Sequence, residues 1–242
     1  MGNQISISEI QLTYEKLWSQ ALQSFETNSV RIDSNLLSKT VDLRRGLTLI
    51  CRPSRNVQDA VVNFLEEANQ IESNQYYYKP NELHTTVLAI ITNNAEFKLS
   101  EIDITSYVEV LSQSILSIPS FNISYRGITA SPDCVMIQGF PQGSTLEELR
   151  HKIRDNFKKS GVKSTLDERY MTHTAHMTCL RFQNPILRNS DEFLRFLKKN
   201  RDFDFGTSEL NDLELVVNDW YMSEENVEVL HRFSLKNYGV VY

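Results

Sequence analysis

The stretches LHTTVL, at residues 83–88, and AHMTCL, at residues 175–180, share a pattern around which the rest of the chain is organised. In each stretch a histidine is followed two residues later by a threonine, giving the pairs His84 with Thr86 and His176 with Thr178. Because successive side chains of an extended strand point to opposite faces, each histidine projects beside its threonine. We therefore expect two strands that each present an imidazole and a hydroxyl to a common cleft.

Composition limits the classes of protein that the chain can belong to. With 242 residues, 40% apolar and 23% charged, it is typical of a soluble globular protein with one large domain or two small lobes. The net charge of −6 argues against a protein that coats DNA or RNA, since that mode needs many Lys and Arg side chains. No apolar run is long enough to span a membrane and no secretory signal is present, which predicts a cytoplasmic location, with the nucleus left open.

The cysteines and histidines do not suggest a metal site. Cys51, Cys134 and Cys179 are isolated from one another, which predicts reduced core residues rather than a disulfide framework or a zinc site. His173 and His176 lack a carboxylate or cysteine at ligand spacing. We expect no metal and no cofactor.

The N-terminal segment is predicted to be a helical extension over residues 1–44, ahead of a single bilobed domain over residues 45–242. Apolar residues recur at helical spacing from Ser8, and Ser8 with Gln11 is interpreted as a capping box. Residues 1–6 fit the pattern for myristoylation at Gly2, but no polybasic segment follows. A weak membrane association is expected only if the protein is eukaryotic and Gly2 is acylated.

Beyond this segment, each half of the chain contains a strand, then a helix, then a strand carrying His-x-Thr. The first half has a predicted strand at 46–51, helix at 57–71, histidine strand at 77–91 and helix at 102–115. The second half has strands at 121–128 and 134–139, a helix at 145–158, its histidine strand, a helix at 191–199 and strands at 213–221 and 227–233. No flexible linker separates the halves, so we expect two similar lobes around one cleft.

Two histidines at corresponding places supply two groups that titrate near neutrality. A single His-x-Thr is more often structural, but a pair suits displacement at a phosphorus ester. One imidazole would take a proton from the attacking water, and the other would give a proton to the leaving oxygen. The threonine hydroxyls would donate to the non-bridging oxygens, so no metal is required.

These paired motifs resemble those of the two-histidine (2H) phosphoesterase superfamily, over roughly Arg45 to the C-terminus. The second motif extends to His-x-Thr-x-x-Arg, which is similar to the RNA ligase-like branch and implies that Arg181 binds phosphate. On alternation alone Arg181 should face away from His176, so a bulge or a strand end is needed. The resemblance implies an α+β, two-lobed duplicated fold, with two mainly antiparallel sheets flanking a central cleft and helices on the outside.

The sequence thus predicts a metal-independent phosphoesterase that hydrolyses a 2′,3′-cyclic phosphate, or a related ribose-linked phosphodiester, on a nucleotide or RNA end. We expect a monomer in which the general acid and base are His84 and His176, in an order left open, and the phosphate is bound by Thr86, Thr178 and Arg181. One alternative is a nucleotide or RNA-end binding protein that uses the same cleft with negligible turnover. Another is a membrane-docked scaffold.

Several other residues are candidates for secondary roles. Tyr76–Tyr78 are candidates for stacking on a base, although core packing is favoured for each. His173 is expected to face away from His176. Around His151, a basic helix face is predicted, usually solvated but able to guide RNA; its members are Arg150, Lys152, Arg154, Lys158 and Lys159.

Overall fold

A computed structural model describes residues 6–32, 34–38, 42–168, 171–184 and 190–236. Gly2, and with it the myristoylation motif, lies outside this range. The helices are α1 (Ile7–Glu26), α2 (Arg55–Ile71), α3 (Ile104–Ile115), α4 (Thr145–Ser160) and α5 (Ser190–Lys199). The strands are β1 (Arg45–Cys51), β2 (Tyr76–Tyr77), β3 (Thr85–Asn94), β4 (Phe121–Ser131), β5 (Cys134–Pro141), β6 (Met177–Arg181), β7 (Asp204–Leu210), β8 (Asp212–Asn218) and β9 (Glu228–Ser234).

Within the described residues the strands form two antiparallel sheets, which confirms the predicted α+β architecture. The first sheet has the order β3-β1-β8-β9, and the second has the order β2-β6-β5-β4-β7. In the first sheet β3 lies beside β1, and in the second β6 lies beside β5. Each strand that follows a motif histidine therefore pairs with the strand before the preceding helix.

The sheets do not coincide with the two halves of the chain. The C-terminal strands β8 and β9 return to the first sheet, and β2 belongs to the second. The predicted continuous strand over residues 77–91 is therefore wrong, because β2 and β3 lie in different sheets. Pro80, which cannot donate to a ladder, lies in the connection between them. The mostly polar β7 was not predicted at all.

Helix α1 begins earlier than predicted and is anchored on the second sheet. Its capping box is formed by Ser6 and Glu9, because Glu9 N–H donates to Ser6 Oγ and Ser6 N–H donates to Glu9 Oε2. The predicted box at Ser8 and Gln11 is wrong. The buried Tyr14 hydroxyl donates to the Gly139 carbonyl at 3.0 Å, so the helix packs against β5.

One apolar core joins the two sheets. It contains residues of both sheets, such as Val87 on β3 and Ile137 on β5, together with Trp18, Ala21 and Phe25 of α1. Helix α2 packs on β7, and α3 packs on α4. None of the helices in the described ranges is both long enough and apolar enough to cross a membrane.

Candidate active site

The two motifs meet at a cleft of ≈ 480 Å³ between β3 of the first sheet and β6 of the second. The structure brings every residue proposed from the sequence for chemistry or phosphate binding to the wall of this cleft. These residues are His84, Thr86, His176, Thr178 and Arg181. His84 and His176 each immediately precede the strand that carries the threonine.

Both imidazoles are held through Nδ1 by a group two residues upstream. His84 Nδ1 lies 2.8 Å from the Glu82 carbonyl oxygen. Because a carbonyl only accepts, Nδ1 of His84 carries the hydrogen, and Nε2 is the nitrogen available for chemistry. His176 Nδ1 lies 2.8 Å from Thr174 Oγ1, so its Nε2 is likewise available. The two copies thus present the same ring nitrogen.

Burial in the cleft lowers the pKa of both histidines. For His84, burial lowers the pKa to about 4; the Glu82 carbonyl opposes this change, and the positive charges of Arg52 and Arg181 add to it. For His176, burial again lowers the pKa to about 4, assisted by the positive charges of Arg150 and Arg181. Both imidazoles are therefore neutral at pH 7 in the free protein.

A β-bulge occurs at the same position in both motifs. In the first sheet Leu49 pairs with Leu88 and Ile50 pairs with Thr86, so Val87 is the extra residue of β3. In the second sheet the register moves from Val135 opposite Leu180 to Met136 opposite Thr178, so Cys179 is the extra residue of β6. The duplication therefore extends to the backbone irregularity that follows each threonine.

The bulge at Cys179 explains how Arg181 reaches the cleft. An extra residue reverses the alternation of faces, so Arg181 lies on the side of Thr178 rather than opposite to it. The predicted need for a bulge is confirmed. Ala89, at the equivalent position of the first motif, also lines the cleft, so the two copies differ there in charge.

Arg181 is held in place by two tyrosines. Its Nε donates to the Tyr78 hydroxyl at 3.0 Å, and its guanidinium lies 5.7 Å from the centre of the Tyr221 ring. Of the three neighbouring tyrosines, Tyr78 alone lines the cleft. Tyr76 donates to the buried Glu82 carboxylate, and Tyr77 donates to the Glu72 carbonyl. The predicted stacking cluster therefore reduces to one residue that supports Arg181.

Two residues near the cleft lie in surroundings that the sequence did not predict. Arg150, assigned to a solvated basic face, is buried and donates hydrogen bonds to backbone carbonyls on both sides of the cleft. His173, expected to face away, lines the cleft. Alternation does not apply to His173 because it precedes β6, in a segment without regular structure.

Helix α1 also contributes to the cleft, through Thr13 and Leu17. Its amphipathic pattern indicated only that one face is buried, not which surface it covers.

In the part of the chain that the structure describes, no group of three or more His, Cys, Asp or Glu side chains is placed to hold a metal ion.

Comparisons with known proteins agree with this fold. The family model of the AKAP7 2′5′ RNA ligase-like domain matches residues 50–227, whereas no curated protein matches the sequence. The crystal structure of TT0787 of Thermus thermophilus is similar, with a TM-score of 0.55 and 16% identity over 78% of this chain and 97% of that chain. E. coli LigT complexed with 3′-AMP gives a TM-score of 0.54 and 12% identity over 80% of this chain and 99% of that chain. At such identities the solved structures show a shared fold.

Proposed function

Because this chain belongs to the AKAP7 2′5′ RNA ligase-like domain family of the two-histidine phosphoesterase superfamily, we propose that it hydrolyses a ribose-linked phosphodiester. The proposed substrate is a 2′,3′-cyclic phosphate on a nucleotide or RNA end. The observation that carries the proposal is the meeting of His84 and His176 in one cleft with two threonines and Arg181.

The reaction needs one proton removed and one supplied. A neutral imidazole takes a proton from water, the water oxygen bonds to phosphorus, and the bond from phosphorus to one ribose oxygen breaks. The other imidazole, in its protonated form, gives its proton to that oxygen. The products are a phosphate monoester and a free hydroxyl. Each of these proton transfers typically contributes a factor of about 100 to 10,000 in rate.

Phosphate binding favours the protonated imidazole that the free protein lacks, and the proton itself comes from solvent. The pKa of each histidine is about 4 in the free protein, so neither is protonated at pH 7. A bound phosphodiester anion favours the charged imidazolium and raises the pKa of its nearest histidine. The hydroxyls of Thr86 and Thr178 and the guanidinium of Arg181 would hold the non-bridging oxygens.

The structure of E. coli LigT with 3′-AMP supports a nucleotide as ligand. A nucleoside 3′-phosphate is one of the two products that opening a 2′,3′-cyclic phosphate gives. For this chain we propose the same ligand class, without choosing between the 2′ and 3′ products.

The test is hydrolysis of 2′,3′-cyclic mononucleotides by the purified protein in the presence of EDTA, with products separated by chromatography. We expect turnover by the wild type and loss of at least about 100-fold in kcat for His84→Ala and for His176→Ala. His231→Ala is the matched control, because this histidine is exposed on β9 and packs on Phe233 outside the cleft. Full activity of the two cleft variants would overturn the proposal.

The same proteins distinguish the enzyme from the alternative, a binding protein that uses the same cleft. Calorimetry with the cyclic nucleotide measures affinity whether or not product forms. Tight binding that needs Arg181, without product after prolonged incubation, would favour the binding protein over the enzyme.

A further inference from the structure

Arg150 on α4 is one of the largest fully buried side chains, and its donors are directed to backbone carbonyls. Nε donates to the Val87 carbonyl at 3.0 Å, and Nη1 donates to the His173 carbonyl at 3.2 Å. Nη2 donates to the carbonyls of Thr86 at 3.2 Å and Thr174 at 2.7 Å. A guanidinium has five N–H donors in a rigid planar fork, which suits several acceptors at once.

These acceptors lie in the first motif and in the segment that leads into the second. Thr86 and Val87 lie on β3, whereas His173 and Thr174 lead into His176 and β6. Another polar link at this junction is the Thr85 hydroxyl, which donates to the Ala175 carbonyl at 3.4 Å. Arg150 therefore joins the two sheets where the motif histidines meet.

We propose that Arg150 is a positioning residue that fixes the separation of His84 and His176 and sets the charge environment of His176. The expected change in kcat rests on the proposed function. The role of Arg150 in fixing the two histidines rests on geometry alone. Arg150 lies behind the motif backbones and acts through the segments that hold the two histidines. A shift of about 1 Å at such a junction can cost a factor of about 100 in rate.

The charged groups around the two histidines are not the same. The positive charges of Arg150 and Arg181 lower the pKa of His176. The pKa of His84 is lowered instead by the charges of Arg52, His176 and Arg181. Glu147 lies 3.7 Å from Arg150 and offsets part of its charge. Removing the charge of Arg150 should therefore raise the pKa of His176 and leave that of His84 closer to its wild-type value.

Two substitutions separate the geometric role from the electrostatic one. Arg150→Lys keeps the positive charge, but an ammonium has only three donors for the four carbonyls. Arg150→Gln removes the charge and keeps an amide donor. Lys152→Gln is the matched control, because Lys152 is exposed on the same helix and bonds to Ser117.

The measurements are kcat and KM with a 2′,3′-cyclic nucleotide and NMR titration of the two cleft histidines, each on protein shown to be folded by circular dichroism. We expect Arg150→Lys to lower kcat about 10- to 100-fold with KM within about twofold of wild type. We expect Arg150→Gln to raise the pKa of His176 toward its ordinary range. Lys152→Gln should match the wild type in both measurements.

The outcomes distinguish this inference from the proposed function. Absence of hydrolysis by the wild-type protein would refute the proposed function. The NMR titration would still decide whether Arg150 lowers the pKa of His176. Folded Arg150 variants with wild-type kcat and wild-type histidine titration would overturn the inference. Failure of Arg150→Lys to fold would reduce Arg150 to a structural residue and would overturn it as well.

Discussion

The dependence of hydrolysis on pH follows from the burial of the two imidazoles. Both pKa values are about 4 in the free protein, and the mechanism needs one protonated and one neutral histidine. Since kcat/KM reports the ionisation of the free enzyme, its value should fall about tenfold for each pH unit between about pH 5 and about pH 8. The ordinary histidine pKa of about 6.5 would instead place the optimum near neutrality.

The magnitude can be worked from the pKa. At pH 7 a group with a pKa of about 4 is protonated in about one molecule in a thousand. Lowering a histidine pKa from about 6.5 to about 4 corresponds to roughly 3 kcal/mol against the charged form. A bound phosphodiester anion offsets part of this cost. The falling limb of kcat, which reports the complex, should therefore lie at higher pH than that of kcat/KM.

The assay is a set of initial rates with a 2′,3′-cyclic nucleotide and EDTA from about pH 4.5 to about pH 8.5 at constant ionic strength, with NMR titration of the histidines in the free protein. His231→Ala should reproduce the wild-type profile, since this exposed residue lies outside the cleft. A kcat/KM profile that is flat or centred near pH 7, together with histidine pKa values near about 6.5, would refute the reasoning.

Three further outcomes are expected. Arg181→Met should raise KM by about 10- to 100-fold through loss of charge-assisted hydrogen bonds to phosphate; steady-state kinetics would contradict this if KM stayed unchanged. The contribution of His84 and His176 to the free energy of unfolding should be complete above about pH 6.5 and lost as the pH falls through about 4, because the unfolded chain takes up protons first. Urea denaturation should show a smaller loss of stability at low pH for the variant in which both histidines are replaced by glutamine. Gly139→Ala should cost about 1–3 kcal/mol and lower kcat, since its Cβ would collide with the Ala175 carbonyl oxygen; unfolding and rates equal to wild type would exclude this.

The cleft residues could be proposed from the sequence because the same local pattern occurs twice. A histidine and a threonine two residues apart share a face of any extended segment, and the spacing is kept in both copies. The alternation also indicated that Arg181 could reach this face only through a bulge or a strand end. The alternation of side chains did not predict the bulge at Val87, because no residue of the first motif needed a bulge to reach the cleft.

The order of the strands could not be predicted from the chain. The sequence of residues 77–91 predicted one strand, yet β2 and β3 lie in separate sheets. Pairing partners are chosen by contacts between residues distant in sequence, and a two-residue strand leaves almost no periodic pattern. Strand β7 was missed because most of its residues are polar and give no apolar alternation.

By itself the sequence determined the duplicated strand and helix pattern, the two histidines, and the residue types that can bind phosphate, since these follow from local spacing and side-chain chemistry. Only the tertiary structure decided that Arg150 is a buried link between the sheets, that α1 lines the cleft, and that both imidazoles are neutral at pH 7. Burial and long-range hydrogen bonds depend on which distant segments meet. Helical periodicity places Arg150 between Leu146 and Ile153 on the buried face of α4 but contains no information about the four carbonyls that it binds.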